Sequence, residues 1–404
     1  MNINLAGRRF RLLWLTAKPP FPLVDGGRIA VYEPLRRLAA RGHHITLLTF
    51  RPPDEDPANL APLSEFCQVE SVPHDTRTRL AGIARNLFSS LPYNVVKYQS
   101  PVMAQRLEEI LAREPFDVVH LEQVHLAGYR AITQGKWQIP TVLRQQNVES
   151  HLAERYWRTQ TGLRRLYARL LAHRMRHYEA AMCAVMDRCL AITAEDAQRL
   201  HTLSPQANVC VVPAGVDTAA FCPLPGNEEP DTLVFVGAMD WLPNADAALW
   251  FCQEVLPAIR RECPALQLYI VGKDPAPEVL RLAESGVYVT GFVEDVRDYF
   301  ARATVFVVPL RIGGGMRVKL LQALAMERAV VSTSIGAEGI AVTHGQNILL
   351  ADSAPDFARC VVDLLRNPQW RARLGQNGRR LVAENYSWEA ATDLLESAYQ
   401  DVMR

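Results

Sequence analysis

The sequence predicts an α/β protein made of two Rossmann-like domains, each with a parallel sheet, facing a central cleft. Three observations carry the prediction. At 404 residues the chain exceeds what one core usually organises. Short, near-continuous apolar runs alternate with helical patterns, as strands covered on both faces require. Those runs fall into two similar sets, separated by a loop rich in Pro, Gly and acids.

The first set reads "RLLWLT" (11–16), "HITLLTF" (44–50), "DVVHLE" (117–122), "TVLRQ" (141–145), "CLAIT" (189–193) and "VCVVP" (209–213). The loop "AGVDTAAFCPLPGNEEPDT" (214–232) follows, and places the domain boundary at 213/214. The second set reads "TLVFVG" (232–237), "LQLYIVG" (266–272), "VYVTG" (287–291), "TVFVVP" (304–309), "AVVST" (329–333) and "NILLA" (347–351). Residues 214–385 therefore form a second domain and 386–404 a terminal helix, for which Ser387 in "NYSWE" is a suitable N-cap. Ligands of doubly wound sheets sit beyond the strand C-termini, so the loops there are the ones to search.

Composition narrows the function classes. Hydrophobic residues are 49% and charged ones 22%, ordinary for a globular chain. A net charge of +1 argues against broad nucleic-acid binding. Eight scattered cysteines form no CxxC pair, which favours a reduced, cytoplasmic setting, and no His/Asp/Cys cluster has metal-ligand spacing. The apolar run Leu12–Leu15 is too short for a signal-peptide core. No window approaches 18 apolar residues, so a membrane span is not expected. The stretch 155–182 reads as one basic helix, with arginines at 155, 158, 164, 165, 169, 174 and 176. It is either a solvated face or a contact for anionic lipid.

The segment "RIGGGMRVKLLQALAMERAVVSTSIGAEGI" (311–340) carries the chemistry. Gly313, Gly314, Gly315 and Met316 lead into a helical run with Arg317 and Lys319 in its first turn. Cations at a helix start oppose the macrodipole unless an anion binds there, so a phosphate is expected. On a helical wheel Leu320, Leu321 and Leu324 share the sheet-facing side, while Lys319 and Gln322 lie about 60° apart on another. Gly237 closes a strand, and Asn244 or Asp246 is positioned to cap the helix that follows. Trp241 reads as packing. Gly26 and Gly27 precede a helical pattern, either as a left-handed loop or as bare backbone for a ligand.

The 311–340 segment resembles the donor site of retaining glycosyltransferases of family 4, which have the GT-B fold. So do "PPFPLVDGGRIAVYEPLRRLAARGHHITLLT" (19–49), "VVPAGVDTAAF" (211–221), "FVGAMDWLPNADAALWF" (235–251) and "VTGFVEDVRDYFARATVFVVPLR" (289–311). The resemblance implies transfer of a sugar from a nucleoside diphosphate sugar to a glycan or glycolipid hydroxyl, with retention. It implies neither metal nor cofactor, and a place in surface polysaccharide or glycoconjugate synthesis. The protein would be cytoplasmic or peripheral on the inner membrane face. Arg317 and Lys319 would hold the diphosphate as catalytic cations, Gly313 to Met316 the donor sugar and phosphate, and Gln322 the ribose. Gly237 would border the donor, Gly291, Phe292 and Val293 its base, and Gly26 and Gly27 the β-phosphate. The N-terminal domain would take the acceptor, with Glu122, His125, Gln146 and Glu149 as candidates, and the last helix would cross back to it.

The sequence departs from the family pattern in three places. Gln322 stands where a ribose-binding glutamate is usual. Ala238 and Pro243-Asn244 replace an arginine and a lysine of the donor site, and Gln145-Gln146 a histidine. Two other readings therefore remain: a sugar-nucleotide-binding homologue with little or no turnover, and a sugar-nucleotide epimerase. A glycosylated acceptor, an epimerised nucleotide sugar or neither would separate the three.

Overall fold

The structure, a computed structural model, describes residues 8–23, 26–224, 226–313 and 315–404, with the Leu80 and Leu163 side chains also left aside. Gly314 lies outside the described residues. The chain divides into two compact units, one of Met1–Pro213 with Ala391–Arg404, the other of Ala214–Ala390.

Unit 1 holds strands β1 (Arg11–Thr16), β2 (His44–Arg51), β3 (Gln68–Pro73), β4 (Val118–Glu122), β5 (Thr141–Gln145), β6 (Arg188–Ala191) and β7 (Val209–Val211). They pair in parallel in the order β3-β2-β1-β4-β5-β6-β7. Leu12, Leu13, Trp14 and Leu15 of β1 are fully buried, because helices cover both faces of the central strands. Burial of one such side chain stabilises the fold by about 1.5–3 kcal/mol. The order reverses between β1 and β4, so the loops after them open side by side.

The strand β3 has no counterpart among the sequence expectations. Its residues "QVESVP" are mostly half-exposed at the sheet edge, so no continuous apolar run marks them. The basic stretch 155–182 also differs from expectation. It forms parts of two helices, Glu149–Thr159 and Gly162–Val185, parted at Gln160-Thr161 by Gly162 with φ of +57°.

The helix Trp388–Val402 gives unit 1 its last layer from Ala391 onward. Leu395, Ala398 and Tyr399 are buried in one cluster with Trp14 and Leu35. Around them Arg41 pairs with Asp393 at 2.7 Å and Glu396 at 2.8 Å. Ser387 Oγ accepts from Ala390 N at 3.1 Å, as an N-cap does.

Unit 2 holds β8 (Thr232–Val236), β9 (Gln267–Val271), β10 (Val287–Gly291), β11 (Val305–Val308), β12 (Val330–Ser332) and β13 (Leu349–Leu350). Its parallel sheet runs β10-β9-β8-β11-β12-β13 and reverses between β8 and β11. The helix Val318–Ala325 packs Leu320, Leu321 and Leu324 into the core, the face the wheel assigned to the sheet. That docking fixes where the start of the helix points.

Candidate functional site

Unit 2 gathers its candidates at the C-terminal ends of β8 and β11, beside the reversal of strand order. The loop after β11 carries Gly313, Gly315 and Met316 up to the helix Val318–Ala325. Gly313 has φ of +132°, and a Cβ there would run into the Arg317 guanidinium. Only glycine permits both the backbone and the neighbour. Arg317 is the N-cap, one position before the first turn that the sequence suggested. It is 6% exposed, and its guanidinium lies over the Trp241 ring at 5.7 Å. Trp241, itself 45% exposed, is thus a platform for a cation rather than core packing.

Lys319 lies deeper. Its Nζ donates to Asn244 Oδ1 at 2.6 Å and sits 4.5 Å from the Phe235 ring centre. Asn244 Nδ2 in turn donates to Ala238 O at 2.9 Å. A Cβ on Gly237 would meet Asn244 at 2.6 Å and Lys319 Nζ at 2.7 Å, so the bare glycine makes room for this pair. Neither Asn244 nor Asp246 caps the helix Leu242–Trp250, whose N-cap is Trp241 without a side-chain bond. Asn244 holds Lys319, and Asp246 pairs with Arg311 at 2.6 Å. Burial, reinforced by the Arg317 charge, pushes the Lys319 ammonium down to about 7. Two cations side by side at an open helix N-terminus form a site that gains from an anion.

Gln322 is half-buried on the next turn of that helix. Gly291, with φ of +70°, ends β10, and Phe292 beyond it is 74% exposed while Val293 is half-buried. The structure thus sets Gly237 beside Lys319 and Gly313 beside Arg317, with the two cations close enough for the Arg317 charge to act on Lys319, and places 291–293 at a different strand end.

In unit 1, Gly26 and Gly27 are the first two residues of the helix Gly26–Ala40, not a left-handed loop. Gly27 O accepts from Gln146 Nε2 at 3.4 Å, and the same amide donates to Glu122 Oε1 at 3.0 Å. Glu122 is fully engaged. His120 Nε2 lies 3.2 Å from its Oε2, and Arg144, which donates to Ala30 O, is 3.8 Å away. Burial alone would raise the Glu122 carboxyl, but Arg144, with His120 and Gln146, holds it below its usual range. Burial lowers His120, so its neutral ring donates from Nε2 and accepts at Nδ1 from the Tyr399 hydroxyl at 2.8 Å. Glu122 and Gln146 are therefore held in a hydrogen-bonded network that ties the end of β4 to the start of the helix Gly26–Ala40.

His125 and Glu149 form a separate pair, Nε2 to Oε2 3.8 Å. Burial pushes the Glu149 carboxyl up to about 7, helped by the Glu179 charge and opposed by Lys97. Burial and Lys97 push His125 down to about 4. Near neutral pH the pair is an imidazole facing a carboxyl poised to gain or lose a proton, not an ion pair. Glu179 accepts from Glu149 N and Ser150 N, each at 2.9 Å, and so caps the helix that carries Glu149.

Sequence reasoning assigned no role to Lys97 and gave Asn244 and Trp241 the wrong ones. Asn244 lies 75 residues from the lysine it holds, and Lys97 sits in a loop without a motif.

Comparison with known proteins adds the family context. Residues 24–220 match the family model described as Glycosyltransferase Family 4, and residues 230–367 match Glycosyl transferases group 1. An uncharacterized 44.6 kDa protein in the cps region of Klebsiella pneumoniae is 22% identical, over 93% of this chain and 96% of that one. D-inositol 3-phosphate glycosyltransferase of Kineococcus radiotolerans is 23% identical, over 95% and 93%. The structure of Anabaena Alr3699/HepE in complex with UDP and glucose superposes with a TM-score of 0.68 at 12% identity, covering 97% of this chain and 100% of that one.

Proposed function

We propose that this chain, a glycosyltransferase of the GT-B fold, moves a sugar from a nucleoside diphosphate sugar to a hydroxyl acceptor with retention of configuration and without a metal. One observation carries the reading. Arg317 and Lys319 lie side by side at the start of a helix, with glycine backbone before them and two neighbouring side chains, Trp241 and Asn244, holding them. Negative charge builds on a diphosphate as it leaves, and preorganised cations and amides stabilise that charge most in the transition state. The leaving phosphate can accept the acceptor proton, so a carboxylate nucleophile is not needed. UDP and glucose bound in a solved structure of the same fold support a nucleotide-sugar donor.

In this scheme Gly313 to Met316 contact the donor sugar and phosphate, Gln322 the ribose, residues 291–293 the base, and Gly26 and Gly27 the β-phosphate. Unit 1 takes the acceptor near His125 and Glu149, with Glu122 and Gln146 shaping the wall. The relative from a cps region supports a role in surface polysaccharide synthesis. Membrane association from the inner face is part of the proposal. Tyr156 and Leu166 are 60% and 65% exposed among exposed Arg155, Arg158, Arg164, Arg165 and Arg169, the mixture that interfacial helices present to anionic lipid. Among the described residues no helix is long and apolar enough to cross a membrane.

A thermal-shift screen of UDP-, GDP-, ADP- and TDP-sugars tests the donor, since a ligand that binds only the folded state stabilises it. NMR of the product linkage then tests retention, and an inverted product defeats it. A second reading, weak or absent turnover, is favoured by the uncharged Gln146 and Gln322. Binding of a sugar nucleotide with neither transfer nor epimerisation would establish it.

A further inference from the structure

We propose that unit 1 carries an anion-binding subsite, walled by Arg77, Arg79, Arg85 and Lys97, that takes a phosphate or diphosphate group borne by the acceptor. The inference rests on the reading above, which gives the acceptor to unit 1. The four side chains line one pocket of about 440 Å3, formed where the chain leaves β3 and makes only the short helices Leu80–Asn86 and Tyr93–Val96.

The acids nearby organise this pocket without cancelling its charge. Asp75 accepts from Arg77 N at 3.0 Å and pairs with Arg79, while Arg77 reaches Asp54 at 2.7 Å. Four cations against Asp75 and Asp54, with the Glu149 carboxyl acting on Lys97 from farther off, leave the pocket a positive excess. Among the described residues no carboxylate lies within ion-pair distance of Arg85 or Lys97. His74 lines the same pocket, and its Nε2 donates to Lys97 O at 2.9 Å, which fixes the backbone that carries the lysine.

Lys97 decides what kind of anion fits. Burial pushes its ammonium down, and the Glu149 charge only partly restores it, so the lysine stands half-dry without a bonded acid. A tetrahedral phosphate supplies what is missing, since guanidinium forks bind its oxygens in pairs and an ammonium adds a point charge. Lys97 also feels the Glu149 carboxyl, and its neighbour Tyr98 packs on His125 at 5.4 Å. A phosphate in the pocket therefore leaves the rest of its carrier beside the His125–Glu149 pair, where an acceptor hydroxyl would be handled. The acceptor class is a phosphorylated or diphosphorylated glycosyl compound, either soluble or attached to a lipid.

The probe is inorganic pyrophosphate titrated calorimetrically into the full chain at low ionic strength. Arg317→Ala/Lys319→Met removes the donor-side binding and reports the unit 1 subsite alone. Arg85→Ala/Lys97→Met removes the latter, and circular dichroism checks that each variant is folded. Removing Arg85 and Lys97 together should weaken binding at the unit 1 subsite by about tenfold or more. The inference is overturned if the Arg317→Ala/Lys319→Met chain binds no pyrophosphate, or if adding Arg85→Ala/Lys97→Met leaves that binding unchanged. Failure of the donor-site reading looks different: Arg317→Ala/Lys319→Met would then leave the wild-type isotherm as it was. Glucose 1-phosphate and phosphatidylcholine vesicles doped with an isoprenyl phosphate identify the source. Competition by the sugar phosphate marks a soluble acceptor, and capture by the doped vesicles that needs Arg85 and Lys97 marks a lipid-borne one.

Discussion

Arg317 and Lys319 are expected to act on the chemical step. Replacing either with Ala should cost about 3–4 kcal/mol of transition-state stabilisation, roughly 10²–10³ in kcat, because leaving-group charge peaks there. Gln322 would touch only the ribose, so Gln322→Ala should raise KM and leave kcat nearly intact. Folded Arg317→Ala and Lys319→Ala proteins with full turnover would show that the cations only decorate a surface. Lys319 adds a pH signature. Burial, reinforced by the Arg317 charge, takes its ordinary value of 10.5 down to about 7, and a bound diphosphate would restore its charge. Nucleoside diphosphate binding should therefore take up a proton above pH 7 and weaken as pH rises, which calorimetry in buffers of different ionisation enthalpy measures. For the unliganded fold the sign is opposite. Between about 7 and 10.5 the unfolded chain holds the proton that the folded one has lost, so this group's contribution to stability rises with pH across that window. The residue types at this site were legible from three glycines beside two cations. The Asn244 contact that holds Lys319 was not, because it joins segments 75 positions apart.

At the scale of elements, the two helices Glu149–Thr159 and Gly162–Val185 carry the membrane prediction. Reversing charge at Arg164, Arg165 and Arg169 should abolish sedimentation with anionic liposomes, and added salt should weaken it in the wild type, since surface charges are screened over about 8–10 Å. Sedimentation that ignores both changes would dispose of membrane docking. Strands such as β1, β4 and β8 were readable because both faces are covered and their apolar runs are unbroken. β3 was not, because an edge strand with half-exposed Glu70 and Ser71 looks like a loop. The break at Gln160-Thr161 was equally hidden, since no proline marks it and Gly162 lies within a run of helical spacing.

At the scale of the whole chain, residues 391–404 belong to unit 1 although unit 2 precedes them. Deleting them strips Leu395, Ala398 and Tyr399 from a packed core and leaves His120 without its hydroxyl donor. One buried Leu→Ala change costs about 2–5 kcal/mol, so losing all three should approach the entire stability of a domain. Calorimetry should then show the unit 1 transition lost or far lower while the unit 2 transition stays. An unchanged unit 1 transition would show that the helix is an accessory. The path of the chain has one more consequence. Where it enters unit 2, Val216 N donates to Tyr386 O at 2.8 Å and Val216 pairs in parallel with Ser387, so the incoming and outgoing segments are hemmed together within that unit. Unit 2 is in effect a cassette whose two splice points lie side by side. Exchanging 214–390 as one block for the matching block of a relative should carry that relative's donor preference into this chain, while the acceptor stays the recipient's own.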